Sequence, residues 1–114
     1  MILELATLHI RPGQQAGFET AFTSAERILA SMEGYIDHEL QQCVEADSRY
    51  RLFVHWQKVE DHTIGFRQSP RFLEWRALLQ PFFAMTPDAE HYRLIAAGRC
   101  GGATSRSHEG DSHE

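Results

Sequence analysis

A chain of 114 residues, 42% hydrophobic and 24% charged, is one folded domain's worth and excludes a disordered protein or a coiled coil. Its formal net charge is -5, and its eleven cationic residues, ten Arg and one Lys, are scattered, so no basic field awaits a nucleic acid. No apolar window approaches the ~18 residues of a membrane span, and two cysteines make no disulfide framework, so a cytoplasmic setting without membrane contact is expected.

Residues 2–11 alternate, Ile2, Glu4, Ala6, Leu8 and Ile10 on one face and Leu3, Leu5, Thr7 and His9 on the other, and Pro12-Gly13 stops the run. This predicts a strand whose two faces are both covered. Over residues 14–33 the period changes to that of a helix. Phe18, Ala21, Phe22, Ala25, Ile28, Leu29 and Met32 form one stripe, and Gly34 supplies the stop. Residues 35–44 and 49–57 alternate again across a short polar connector, a hairpin signature. Ile36, His38 and Leu40 share one face of its first strand; Leu52, Val54 and Trp56 share one face of its second.

Residues 59–68 set Val59, His62, Thr63 and Phe66 on one helical stripe. Ser69-Pro70 then restarts the helix, serine as N-cap and proline at the first position, with Phe72, Trp75, Leu78 and Leu79 facing inward. After Pro81 and Pro87, residues 89–95 predict a last strand with Tyr92 and Leu94 on one side. Residues 96–114 are Gly, Ser, His and acid with almost nothing apolar, and a flexible tail is expected there.

The order strand, helix, strand, strand, helix, strand predicts an α+β fold, a ferredoxin-like βαββαβ domain over residues 1–95. Its four-stranded antiparallel sheet carries the helices on one face. The other face would keep Leu3, Leu5, Phe53 and Ile95, too much apolar surface to leave wet, and a second copy is the expected cover.

Several runs also resemble the antibiotic biosynthesis monooxygenase family. These are Ile2-Leu3-Glu4-Leu5-Ala6 with Arg11-Pro12-Gly13 and Phe18, then Gly34-Tyr35, and the hairpin ending at Trp56. Glu60-Asp61-His62-Thr63-Ile64-Gly65-Phe66-Arg67, Ser69-Pro70-Arg71-Phe72 and Glu90-His91-Tyr92 follow. The resemblance implies a homodimeric α/β barrel and small oxygenases that oxidise quinols or aromatic polyketides with O2 and without metal or flavin. Haem-degrading relatives would need an asparagine, a tryptophan and a histidine near Ala6, Phe66 and Trp75 or Arg76. None is present, which disfavours haem. Quinol-oxidising relatives often carry a histidine where this chain has Phe66, and His62 lies one turn earlier.

If the helix-side faces are as read, His38, Trp56 and Glu4 point into the layer that His62, Phe66 and Trp75 also enter. Such an aromatic cavity suits a flat substrate, with Tyr92 as a further wall. His62 is the first candidate base and His38 the second, since imidazole titrates near neutrality; Arg67 would hold a substrate oxyanion if it turned inward. No cofactor is expected. The bland readings stand beside these: a surface cap for His62, a satisfied core histidine for His38, a Glu4–Arg93 pair, and a solvated Arg67. His9, His55 and His91, read on the opposite face, offer a zinc or iron alternative, or else line the dimer interface. A ligand-binding dimer without catalysis and a structural dimer with a self-filled cavity are the rivals of the oxygenase.

Overall fold

The computed structural model describes residues 1–100; the expected tail falls largely on residues 101–114, outside the described residues. Strand β1 (Ile2–His9) leads through Pro12-Gly13 into α1 (Gln15–Ala30), then β2 (Tyr35–Gln42), β3 (Arg49–Trp56) and α2 (Pro70–Leu79). A π-helical turn, Asp61–Phe66, precedes α2, a 3-10 turn, Gln80–Phe82, follows it, and β4 (Asp88–Tyr92) closes the chain. All neighbouring strands are antiparallel, in the order β2-β3-β1-β4. This is the expected ferredoxin-like sheet.

The core follows from the alternation in β1 and β3 and from the α1 stripe. Ala6, Leu8, Ile10, Leu52, Val54 and Trp56 meet Phe18, Phe22, Ala25, Ile28 and Leu29 with almost no exposure. Gly34 turns the chain from α1 into β2 at φ +85, and a Cβ there would strike the Asp61 carboxylate, so both backbone and space require glycine. Ser69 caps α2 as expected, its Oγ accepting the Phe72 N–H at 3.3 Å.

Helix α2 differs from a simple core helix. Only its Leu79 is fully buried, while Phe72, Trp75 and Leu78 are half-buried, because the helix stands over a hollow rather than flat on the sheet. Beyond it, the chain crosses the end of β1: Ala84 N–H donates to His9 O and Arg11 N–H to Phe82 O, which sets Phe83 beside Ile10.

Two parts of the expected sheet need correction. A bulge after Tyr35 leaves Ile36 without a cross-strand partner, so Tyr35 stands opposite Trp56 and His38 opposite Val54. In β4 the register pairs His91 with Glu4 and Tyr92 with Leu3. His91 therefore lies on the helix side and Tyr92 on the outer face, the reverse of the expected arrangement. The strand also ends at Tyr92, leaving Leu94 and Ile95 beyond it and 71% and 88% exposed.

Candidate active site

A cavity of about 480 Å³ lies between the sheet and α2. Leu8, Leu29, Leu52 and Leu79 form its apolar floor, and Phe66, Phe72, Trp75 and Phe83 its aromatic walls. Phe66 stands edge-on to both Phe72 and Trp75, with centroids 5.2 and 5.6 Å apart, which fixes the walls. Its volume and lining suit a small aromatic molecule, and the space is open rather than filled by the protein's own side chains.

Two buried polar side chains, Glu4 and His62, enter the lining. Glu4, on the inward face of β1, is 6% exposed. Its Oε1 accepts the Trp56 Nε1–H at 2.9 Å, and its Oε2 lies 3.4 Å from His62 Nε2. His62 stacks on the Trp56 ring, with centroids 5.7 Å apart, and its Nδ1 shares a hydrogen bond of 2.8 Å with His91 Nε2. His62 thus bridges the Glu4 carboxylate of β1 and the His91 imidazole of β4, the edge strand.

The π-helical turn accounts for the arrangement. Arg67 N–H donates to His62 O, five residues back, and the wider turn brings residues four and five apart nearly into line. His62 and Phe66 are both buried, and Arg67 reaches the cavity lining, whereas a regular helix would set it off the inward stripe. Its guanidinium lies 5.9 Å from the Phe72 ring centroid.

Burial sets the protonation states. It pushes the Glu4 carboxyl up to about 7, offset in part by the Trp56 hydrogen bond and the Arg67 charge. Burial, with the charges of His91 and Arg67 adding to it, pushes His62 down to about 4. His91 is also lowered, by burial and then by Arg67. At neutral pH His62 is neutral, and Glu4 is the group poised to exchange a proton.

Of the residues singled out from sequence, Glu4, His62, Phe66, Arg67 and Trp75 line the cavity together. Trp56 is fully buried behind Glu4 and His62, where it holds the carboxylate rather than forming a wall. His38 belongs elsewhere. Val54 separates it from Glu4 across the sheet, and its ring nitrogens bond Tyr35 Oη at 2.5 Å and Glu26 Oε1 at 2.7 Å. Tyr92 faces outward and donates to Glu90 on its own strand. Glu4 pairs with Trp56 and His62, not with Arg93, and His91 joins His62 rather than His9 and His55. The residue missed from sequence is His91. Only its pairing opposite Glu4 could have revealed it, and sequence alternation does not carry that pairing across the irregular segment before β4.

The chain matches the family model for antibiotic biosynthesis monooxygenases over residues 1–78. The chain belongs to this family. An uncharacterised Bacillus subtilis protein, YczJ, is 45% identical over 95 residues, which are 83% of this chain and 100% of YczJ. A candidate antibiotic biosynthesis monooxygenase from Bordetella bronchiseptica is 35% identical, with a TM-score of 0.81 over 83% of this chain and 97% of its own. SnoaB of Streptomyces nogalater, a cofactor-independent oxygenase, shares the fold at a TM-score of 0.73 and 18% identity, over 84% of this chain and 94% of SnoaB. Within the antibiotic biosynthesis monooxygenase family the fold is that of the dimeric α/β barrels.

Proposed function

We propose that the protein is a cofactor-independent monooxygenase for a small aromatic substrate bearing an acidic hydroxyl, a quinol, phenol or polyketide-like compound. The observation that carries this reading is the aromatic cavity of about 480 Å³ with a buried, neutrally poised carboxylate and a guanidinium in its lining. The substrate hydroxyl gives its proton to Glu4, whose other oxygen is fixed by Trp56, and Arg67 balances the oxyanion that forms. The base is thus Glu4, with His62 as its immediate partner. The substrate anion passes one electron to O2, the radical and superoxide combine to a peroxide anion at a carbon that is CH2 in the substrate's keto form, and a proton returned through Glu4 makes the hydroperoxide. Loss of water leaves C=O, so that CH2 and O2 become C=O and H2O with no external reductant.

The reading also carries a second copy of the chain as cover for Leu3, Leu5 and Phe53, which are half-buried on the outer sheet face. The two free cysteines, Cys43 and Cys100, suit a reducing, cytoplasmic setting.

The test is O2 uptake by chelator-treated protein against hydroquinones, anthrones and naphthols, beside Glu4→Gln and His62→Gln. Uptake by the native protein that falls in both variants is expected. Saturable binding of these compounds without O2 uptake would replace the enzyme by a ligand-binding dimer.

A further inference from the structure

We infer that Glu4, His62 and His91 form a proton path from the cavity to solvent, with His91 as its outlet at the edge of the sheet. The path rests on the oxygenase reading and extends it to a residue that does not line the cavity.

A bound flat substrate fills the space in front of Glu4, so the proton taken up there has no water to receive it. His62 lies beside the carboxylate in the cavity lining and is itself only 3% exposed. It meets Glu4 through Nε2, at 3.4 Å, and His91 through Nδ1, at 2.8 Å. The longer contact is of a kind that shortens once a substrate is held. His91 is half-buried on β4, an edge strand, and its Nδ1 has no hydrogen-bond partner among the described residues.

The proton count balances along this line. One proton enters His62 at Nε2 from Glu4, the Nδ1 proton of His62 passes to His91 Nε2, and the Nδ1 proton of His91 leaves to water. A proton running back along the same line to the peroxide anion restores both starting tautomers, so the cycle releases no net proton. Because His62 resists holding a charge, entry and exit of the proton are concerted. The charged and titratable groups facing His62 are Glu4 from β1, His91 from β4 and Arg67 from the turn it belongs to; Trp56 of β3 covers its ring. Arg67 repels a proton resting on either imidazole, which favours its release outward.

His91→Gln separates a relay from a residue that only orients His62, since the glutamine amide can still hydrogen-bond His62 Nδ1 but cannot pass a proton on. In O2-uptake assays both His91→Gln and His91→Ala are expected to lose at least about tenfold in kcat, with KM within about twofold. Added imidazole should restore part of the His91→Ala rate. A His91→Gln enzyme with native kcat, or a His91→Ala enzyme that imidazole cannot rescue, would overturn the path. Nitrogen-15 NMR of the histidines in the native protein supplies a readout apart from activity. The two rings should titrate as one coupled pair, with His62 resonances moving when His91 takes its proton. Independent titration would overturn the path even in an active enzyme. Coupled rings in a protein that consumes no O2 would support the path and refute the oxygenase.

Discussion

The sheet carries two carboxylate–imidazole groupings in a single cross-strand row. His38, Val54, Glu4 and His91 stand side by side from β2 to β4, and all face the helices. At one end Glu26, His38 and Tyr35 bond in sequence; at the other, Glu4, His62 and His91 line up in the same way. The composition is nearly the same and the surroundings are not. The His38–Glu26 pair sits at the seam of α1 and β2, with side chains 15% and 38% exposed, and does not line the cavity beneath α2. Glu4 and His62 line the hollow, where burial pushes the carboxyl up and the imidazole down. Two strand spacings, about 10 Å, separate a clasp from a site. Proximity of an acid to a histidine does not make reactive machinery; burial beside an open, apolar volume does.

The largest effect expected from breaking this asymmetry is on turnover. Glu4→Gln keeps the shape and the Trp56 hydrogen bond but removes the proton acceptor, so kcat should fall by about 10²–10⁴. His62→Gln should cost somewhat less, since the carboxylate remains. Steady-state O2 uptake at saturating substrate measures both. Native rates in Glu4→Gln would place the base elsewhere in the cavity.

Much of this asymmetry was legible in the sequence. The alternation in β1 put Glu4 on the inward face with Ala6 and Leu8, and the hairpin put Trp56 there too. Ser69-Pro70 marked the helix that carries Trp75. Three features were not legible. The wider turn at Asp61–Phe66 depends on hydrogen bonds that no residue type announces, so the sequence leaves open whether Arg67 turns toward the cavity. The cavity is a volume that half-buried Phe72 and Trp75 fail to fill, and periodicity cannot separate a wall from a core contact. The face of β4 depends on how the segment from Phe83 to Pro87 crosses the end of β1. A shift of one residue there exchanges the faces of His91 and Tyr92.

The pH dependence of stability sharpens the contrast next. Glu4 titrates at about 7 in the folded chain against 4.5 when free, so it holds its proton more tightly folded. Its contribution is complete below pH 4.5 and is lost as pH rises through about 7. His62 has the opposite sign. It titrates at about 4 against 6.5, so its contribution is complete above pH 6.5 and is lost as pH falls through about 4. Each amounts to about 3 kcal/mol at full extent. Between pH 4.5 and 6.5 the two slopes cancel. Glu4→Gln removes the falling limb, and urea unfolding of that variant should show stability climbing by up to about 3 kcal/mol across the same interval. Parallel profiles for the variant and the native protein would mean that Glu4 is not the buried acid described.

Trp56→Phe probes the clamp on that acid with a smaller cost. It takes the only hydrogen-bond donor from Glu4 Oε1 among the described residues, so the carboxyl should move further upward. The loss in stability should be about 2 kcal/mol at pH 8, where the carboxylate is ionised, and less at pH 5. Equal losses at the two pH values would reduce the role of Trp56 to packing.

The smallest effect belongs to the other end of the row. His38→Gln and Glu26→Gln each break the α1–β2 clasp at a place where water can replace the lost partner. A pair so exposed is worth at most about 1 kcal/mol, and neither variant should alter kcat or KM. Urea unfolding and O2 uptake on the same preparations check both. If His38→Gln were to abolish turnover while Glu26→Gln did not, the imidazole would have to reach substrate from behind Val54. The sheet would then need to open between β2 and β3, whose pairing runs unbroken from Asp37 to Gln42. The register holding His38 opposite Val54 is therefore what keeps the two groupings chemically separate, and loss of activity at His38 alone is the result that would dissolve the distinction.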